Sequence, residues 1–335
     1  MRAERYWQQA LQRSQSAAAS GSLVPLDTEV LDLGAFIKAS QGSSGRQGSA
    51  ESQSLSDSQD LDARAGRPAS EGSDGPFTLA AKPRPARGPN GPGDWGPFVV
   101  RRLLSATPKH LSRSGPRPNP FLPWDQELAV APLGSSHLLL LNKYPVQAGH
   151  VLVITQQWQP QQGWLGAGDW AAVADVDRDT GGLWFFNSSP AAGASQPHRH
   201  LQLLPRAAGV PSCPMAPQFL AQLKGVQRQW PWQYRLSPRQ QSGSAAELEA
   251  LYANHARDLG LGDPVADPQP RHPYNLLFDD QWFLTVRRRR DDWAGFSVNA
   301  LGFAGYLLVT DRADLDWLRA EGPWALLQTV ASEVP

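Results

Sequence analysis

The feature that most limits the fold of this chain is a series of short apolar runs between residues 127 and 155. The runs read "ELAVAPL", "SHLLLLNKYP" and "HVLVIT", and turn signals at Gly134 and in "VQAG" separate them. Apolar runs of this length between turns are typical of strands, and consecutive strands joined by short turns pair antiparallel. The segment therefore predicts an antiparallel meander against which the rest of the chain must pack.

The remaining elements are grouped by type. The pattern predicts a helix at "DWAAVADVDR" and strands at "GGLWFFN" and "HRHLQLL", which flank the loop "SSPAAGAS". Residues 215–262 are predicted to be helical in their first and last parts, with a polar link near "SPRQQSGS". Strands are predicted at "YNLLF", "QWFLTVRR" and "AGYLLVT", and one helix around "ADLDWLRAEGPWALLQTVA". Because strands and helices do not alternate strictly, the expected fold class is α+β with an antiparallel sheet.

The N-terminal third contains two contrasting segments. Tyr6, Trp7, Ala10 and Leu11 recur at helical spacing, which favours a first amphipathic helix over a targeting segment. Residues 39–94 consist mainly of Ser, Gly, Pro, Ala, Arg and Asp, with almost no large apolar side chain. Such a segment cannot bury enough surface to offset an ordering entropy of about 1 to 2 kcal/mol per residue. We expect it to be a largely disordered insertion.

Charge and cysteine content exclude several classes of protein. The 31 basic residues balance 31 acidic ones, so no overall positive field attracts nucleic acid or an anionic membrane. Cys213 is the only cysteine, which rules out an internal disulfide and fits a reducing compartment. No apolar run approaches the roughly 20 residues that span a bilayer. We expect a cytoplasmic protein, a monomer or small homo-oligomer, without nucleic-acid or membrane partners.

Residues 193–205, "GASQPHRHLQLLP", carry the densest chemistry in the chain. On a strand, His198, His200 and Gln202 share one face, since side chains alternate with a period of two. The turn before them offers Gly193 and Ser195, whose backbone N–H groups could converge on an anion. A neutral imidazole is a nucleophile toward phosphorus, and a glutamine amide stabilises charge without titrating. The segment predicts covalent transfer of a phosphorus-containing group.

Two other interpretations of the histidine pair stay open at this point. His198 and His200 at this spacing could bind zinc, although glutamine is a weak third ligand and no acidic residue or cysteine is near in sequence. The pair could also be purely structural, with both rings hydrogen-bonded inside a strand.

The segment "FNSSPAAGASQPHRHLQ" resembles the active-site motif of the diadenosine tetraphosphate (Ap4A) phosphorylases, or ATP adenylyltransferases, of the histidine-triad (HIT-like) superfamily. Four further segments resemble the same family: "SGSLVPLDTEVLDLGAFI", "NPFLPWDQELAV", "LLNKYPVQAGHVLVIT" and "HPYNLLFDDQWFLTVRRRRDDWAGFSVNALGFAGYLLV". The resemblance implies a HIT-like antiparallel sheet with flanking helices, related to the galactose-1-phosphate uridylyltransferase branch. It also implies an N-terminal helix and catalytic segment (1–38), a HIT-like catalytic region (95–214) and a C-terminal ATP adenylyltransferase region (215–335); the insertion (39–94) is an addition that the family pattern does not require.

The resemblance assigns roles to individual positions. His200 matches the nucleophile, with His198 and Gln202 completing the catalytic set; glutamine at a position where hydrolase branches carry histidine points to transfer. The implied substrate-binding residues are Asn187, Gly193, Ala194, Ser195 and Gln196 at the polyphosphate, Asn142 and Lys143 near the nucleotide, and Lys109, Asn275 and Arg288. Arg287 replaces the proline that the family pattern has before its arginine. No metal-ligand set is implied.

The expected reaction is phosphorolysis of Ap4A by inorganic phosphate to ATP and ADP through an adenylyl-histidine. A divalent cation, expected to be Mg²⁺, would arrive with the polyphosphate, and no organic cofactor is expected. Two alternatives remain: another HIT-like nucleotidyltransferase, acting on a uridylyl or adenylyl sulfate substrate, and a non-catalytic dinucleotide-binding protein.

Overall fold

The computed structural model describes residues 3–33, 36, 95–105, 119–226, 229–240 and 243–334. The predicted insertion (39–94) and Lys109 lie outside the described residues. The helices are α1 (Arg5–Ala19), α2 (Ala167–Asp179), α3 (Ala216–Leu223), α4 (Ala245–Asp258), α5 (Ala300–Phe303) and α6 (Leu315–Val330). The strands are β1 (Thr28–Val30), β2 (Val99–Leu103), β3 (Ala129–Leu133), β4 (His137–Leu141), β5 (Val151–Thr155), β6 (Gly182–Asn187), β7 (His200–Pro205), β8 (Tyr234–Pro238), β9 (Tyr274–Phe278), β10 (Trp282–Arg287), β11 (Asp292–Trp293), β12 (Phe296–Ser297) and β13 (Tyr306–Val309).

An eight-stranded sheet forms the centre of the molecule. Its order is β3-β4-β5-β7-β6-β9-β10-β8, and every neighbouring pair is antiparallel. The continuous apolar runs of β4, β5 and β9 are buried at every position, because both faces of the sheet are covered. The predicted meander and the α+β class with an antiparallel sheet are confirmed.

A hydrophobic core lies on each face of this sheet. One core joins the sheet to α1, α2 and α4, with Trp170 of α2 packed onto Phe278 and Phe283 of the strands and against Tyr252 of α4. The other core joins the opposite face to α3, α5 and α6, where Trp282 packs against helix residues. Within β7, Leu201 and Leu203 lie in the first core, so His200 and Gln202 at the alternate positions lie on the other face of the strand.

A second, three-stranded sheet flanks the second core. In it β2 pairs antiparallel with β1 and parallel with β13, which is more than 200 positions away in the sequence. The strand expected at "AGYLLVT" therefore exists, but it lies outside the large antiparallel sheet. Short-range periodicity carries no information on such a distant parallel pairing.

Two details of the C-terminal part differ from the sequence prediction. Residues 234–238 form edge strand β8 beside β10, although their last two positions begin the predicted polar link "SPRQQSGS". The mixed pattern "YRLSP" reflects the partial exposure of this edge strand. The helix predicted over 313–331 is broken at Gly322, whose φ of 79° is left-handed, before Pro323, which lacks a backbone N–H.

The single cysteine is buried and reduced in the structure. Within the described ranges, no helix combines the length and the apolar character that crossing a membrane requires. The cytoplasmic location and the oligomeric state expected from the sequence stay predictions.

The buried ion pair between Asp177 and Arg239 ties α2 to the sheet. Asp177 accepts hydrogen bonds from the Trp184 indole, from Arg239 at 3.1 Å and from the backbone N–H of Gly243. Removing one partner of a buried pair leaves an uncompensated charge.

We predict that Asp177→Ala lowers the free energy of unfolding by about 3 to 5 kcal/mol, measured by urea denaturation. The matched control is Asp258→Ala, which breaks an exposed Asp–Arg pair with Arg235 and should lower it by about 1 kcal/mol or less. Equal losses in the two variants would show that burial does not set the strength of the Asp177 pair.

Candidate active site

His200 lies at the start of β7 with its ring fixed in one orientation. Its Nδ1 lies 2.8 Å from the carbonyl oxygen of His198, so Nδ1 carries the proton and donates it. The backbone N–H of His200 donates to Oε1 of Gln161. The remaining ring nitrogen, Nε2, has no hydrogen-bond partner among the described residues and keeps its lone pair.

The electrostatic environment keeps this ring neutral. Burial lowers the pKa of His200 to about 4, and the hydrogen bond that the ring donates to the His198 carbonyl only partly opposes that shift. The ring is therefore a base and nucleophile, rather than a cation, at neutral pH.

His198 holds the tautomer of its neighbour and is itself held. Its Nε2 lies 2.8 Å from the carbonyl oxygen of Thr155, and its Nδ1 lies 2.9 Å from the amide nitrogen of Asn119. Nε2 therefore donates and Nδ1 accepts. The ring of Phe121 packs edge-on against His198 and at a tilt against His200. His198 acts on the site through its backbone carbonyl.

Gln202 lies two residues further along the same face of β7. Its Oε1 lies 3.1 Å from Nε2 of His150, and Nδ1 of His150 lies 3.2 Å from the amide nitrogen of Asn142. Burial lowers the pKa of His150 to about 3, so this ring is also neutral. The amide nitrogen of Gln202 has no partner among the described residues and is available to a substrate oxygen.

Asn187 lies beside His200 on the neighbouring strand. The register of β6 with β7 ends at the pair Phe185–Gln202, and beyond it the Gln161 side chain bridges the backbones of Asn187 and His200. Oδ1 of Asn187 accepts from the amide nitrogen of Asn275 at 2.8 Å and from the backbone N–H of Ala300 at 2.9 Å. Its own amide nitrogen has no partner among the described residues.

Asn275 and Arg288 lie beneath the site and not at its surface. Asn275 is fully buried, and Arg288 is 1% exposed. The Arg288 guanidinium donates to Oδ1 of Asn275 and to the carbonyl oxygens of Ala192, Arg290, Val298 and Val330. The direct substrate contacts implied for Asn275 and Arg288 are therefore not what the structure shows, because their donors are bonded to protein oxygens.

The turn at 189–196 has a defined geometry. The backbone N–H groups of Gly193 and Ala194 donate to Pro190 and Ser189 carbonyls, so these two N–H groups are occupied. Gly193 has a φ of 85°, and a Cβ there would lie 2.7 Å from Cβ of Asn299. Anion binding through the N–H groups of Gly193 and Ala194 is thus not supported; for Ser195 and Gln196 it stays a prediction.

Some predicted residues are brought together and others are not. His198, His200, Gln202 and Asn187 form one continuous group, with Asn142 linked to it through His150. Lys143 lies exposed in the β4–β5 turn, and Lys109 is outside the described residues. Within the described part of the chain, no group of three or more His, Cys, Asp or Glu side chains could hold a metal ion.

Three further site residues were not assigned a role by the sequence analysis, although Asn119 and Thr155 lie in segments that resemble the family. Gln161 is buried and bridges the two strands, since its amide nitrogen donates to the carbonyl oxygen of Asn187 while its Oε1 accepts from His200. Asn119 and Thr155 hold His198. The hydrogen bonds that join these residues to His198 or His200 span 39 or more positions in the sequence, so local hydrophobic periodicity cannot indicate them.

Two sequence models of protein domains match this chain. That of the Ap4A phosphorylase N-terminal domain matches residues 98–221, and that of the ATP adenylyltransferase C-terminal domain matches residues 228–333. The chain belongs to the Ap4A phosphorylase/ATP adenylyltransferase family of enzymes, in the HIT-like superfamily.

Two relatives from Saccharomyces cerevisiae show the extent of the similarity. Protein APA1 is 31% identical over 121 residues, which are 32% of this chain and 38% of that protein. Diadenosine 5',5'''-P1,P4-tetraphosphate phosphorylase 2 is 25% identical over 229 residues, which are 59% of this chain and 70% of that protein. The first alignment thus spans well under half of the relative's length.

The fold is that of a solved yeast protein. The crystal structure of yeast Ap4A phosphorylase Apa2 superposes with a TM-score of 0.62 at 19% identity, covering 99% of this chain and 95% of that one. A structure of the same yeast protein in complex with Ap4A gives a TM-score of 0.62 at 18% identity, covering 99% and 98%. These likenesses confirm the α+β fold with a large antiparallel sheet and flanking helices.

The close approach of Gly193 to Asn299 gives a stability prediction. We expect Gly193→Ala to lower the free energy of unfolding by more than Gly209→Ala, a control with a φ of 81° and no atom within 4 Å of the added Cβ. The control should lose only the roughly 1 to 2 kcal/mol of a left-handed non-glycine residue. Urea denaturation gives both values, and amide hydrogen exchange over 189–196 should rise in Gly193→Ala alone. Similar stability and exchange in the two variants would contradict the packing of the turn on Asn299.

Proposed function

We propose that this protein is an adenylyltransferase that cleaves Ap4A with inorganic phosphate to give ATP and ADP. The observation that carries the proposal is the neutral His200, with Nδ1–H held by the His198 carbonyl and the Nε2 lone pair unpartnered beside the non-titrating amide of Gln202. Family membership and the yeast Apa2 complex with Ap4A support the choice of substrate.

The first step forms a bond between Nε2 of His200 and an α-phosphorus of Ap4A. The bond from that phosphorus to its bridging oxygen breaks, and the electron pair leaves on ATP. The imidazole gains positive charge as the bond forms, and the Nδ1–H donor pointed at the His198 carbonyl stabilises that charge without reorganisation. No proton has to leave the ring.

The second step returns the ring to its starting state. An oxygen of inorganic phosphate attacks the same phosphorus, the nitrogen–phosphorus bond breaks, and ADP forms. The amide N–H groups of Gln202 and Asn187 donate to the phosphoryl oxygens in both steps. Because Gln202 cannot act as a general base, it does not activate water in place of phosphate.

The polyphosphate carries several negative charges that the described site only partly offsets. Mg²⁺ entering with Ap4A would neutralise phosphate oxygens, as divalent cations do in phosphoryl transfer. The exposed ammonium of Lys143 is the remaining cation that we assign to the nucleotide and its phosphates.

We predict that the purified protein converts Ap4A to equimolar ATP and ADP only when phosphate and Mg²⁺ are both present, with chromatography as the assay. Without phosphate, radiolabelled Ap4A should leave an adenylyl group on His200 that acid removes, as expected for a nitrogen–phosphorus bond. His200→Ala should abolish turnover and labelling, whereas His272→Ala, a control at a histidine outside the site, should abolish neither. AMP formed without phosphate would indicate hydrolysis, and binding of Ap4A without labelling would indicate a non-catalytic protein.

The low pKa of His200 predicts the pH dependence. We expect kcat/KM to be constant from about pH 8 to pH 5 and to fall below that, with a midpoint at about 4, as the nucleophile becomes protonated. His200 takes up a proton at about pH 6.5 in the unfolded chain but only at about pH 4 in the folded one, so the free energy of unfolding decreases as the pH is lowered from about 6.5 to about 4. Circular dichroism at each pH separates unfolding from protonation. A midpoint near 6.5 in folded protein would contradict a neutral, buried nucleophile.

A further inference from the structure

A series of hydrogen bonds, in each of which a residue donates to the next one in the series, ends at Gln202. It begins at the backbone N–H of Tyr144, which can only donate and lies 3.0 Å from Oδ1 of Asn142. The amide nitrogen of Asn142 therefore faces Nδ1 of His150 at 3.2 Å and donates to it. Nε2 of His150 must then carry the proton, which it donates to Oε1 of Gln202 at 3.1 Å.

The opposite tautomer of His150 fits these contacts less well. With the proton on Nδ1, two N–H groups would face each other at 3.2 Å, and Nε2 would have to accept from Asn142 across 3.5 Å. Gln202 would also have to turn its amide nitrogen toward His150 and present an oxygen to the substrate. An oxygen there would repel phosphoryl oxygens.

A second series of the same kind ends at Asn187. Arg288, which can only donate, binds Oδ1 of Asn275. The amide nitrogen of Asn275 then donates to Oδ1 of Asn187 at 2.8 Å, and the backbone N–H of Ala300 donates to the same oxygen at 2.9 Å. Asn187 is left, like Gln202, with its amide nitrogen as the group that has no partner among the described residues.

We propose that His150 and Arg288 are positioning residues: His150 fixes the carboxamide of Gln202, and Arg288, through Asn275 and together with the Ala300 N–H, fixes that of Asn187, so that both carboxamides present N–H donors to the phosphoryl group. The inference rests on the proposed function, because it names what these donors act on. Neither positioning residue touches the substrate.

Fixed orientation matters because a carboxamide that turns by 180° exchanges a donor for an acceptor. In a buried site the wrong orientation would place an oxygen against an anion, where the local dielectric amplifies the repulsion. A preorganised donor instead stabilises the transition state without reorganisation. His150 is suited to this task because burial keeps its ring neutral at neutral pH, so one ring nitrogen donates and the other accepts.

The first experiment is a double-mutant cycle on His150 and Gln202. His150→Met removes the donor, and His150→Gln restores one near the position of Nε2 at matched side-chain length. We expect kcat of His150→Met to fall about tenfold with KM within about twofold, and His150→Gln to keep kcat within about threefold. In a Gln202→Leu background, His150→Met should lower kcat no further. Additive losses, or equal losses in the Met and Gln variants, would overturn the role of His150.

The second experiment uses Asn275→Asp, a near-isosteric change. The carboxylate keeps and strengthens the partner of Arg288 but cannot donate to Asn187 or to the carbonyl oxygen of Ala192. Circular dichroism should show a folded variant, and we expect a loss of kcat of about tenfold, with no further loss when Asn187 is already leucine. Wild-type kcat in Asn275→Asp would overturn this arm of the inference.

A spectroscopic measurement separates this inference from the proposed function. Nitrogen-15 NMR of the intact protein should show His150 protonated at Nε2 alone between about pH 6 and 8, well above its pKa. A proton on Nδ1 would overturn the inference even in an active enzyme. Absence of phosphorolysis by the wild-type protein would instead overturn the proposed function, whatever the tautomer.

Discussion

The hydrogen bond from Nδ1 of His200 to the carbonyl oxygen of His198 is the interaction on which the site depends. It joins the first residue of β7 to the residue two positions before it, so it forms without any contribution from a distant element. It fixes the tautomer, aims the lone pair of Nε2 into the site and offers a dipole to the charge that develops on the ring. Burial adds the condition that the ring is neutral before it reacts.

The large antiparallel sheet converts this local arrangement into a site. Because β6 lies between β7 and β9, Asn187 is linked through Gln161 to His200 on one side and pairs with Asn275 on the other. Arg288 follows the end of β10 and holds the turn at Ala192 as well as Asn275. The N-terminal part of the chain thus supplies the nucleophile and the turn, while the C-terminal part supplies the support beneath them.

The sequence predicts what local spacing encodes. Alternation along residues 198–203 places the two histidines and Gln202 on one face and two leucines on the other, and the short apolar runs predict the meander. What it does not predict depends on distant pairing. Gln161 and Asn119 reach the site through loops, β2 pairs with β13 across most of the chain, and the run of four arginines separates into different environments. Only Arg288 of that run is buried, and its partners come from five separate positions.

The neutral state of three histidines reveals a common principle in the site. His150 and His198 each accept at Nδ1 from an asparagine amide, and each asparagine has its oxygen held by the backbone N–H two residues later, at Tyr144 and Phe121. Both rings therefore carry their proton on Nε2. His200 is bonded through Nδ1 to a backbone carbonyl, which gives it the opposite tautomer. A backbone N–H can only donate and a backbone carbonyl can only accept, so the main chain determines which nitrogen of each ring is protonated. Of these three rings, only His200 has a nitrogen lone pair without a partner among the described residues. It is also the only one whose Nδ1–H is bound by a backbone carbonyl, and this distinguishes the nucleophile from the other two histidines.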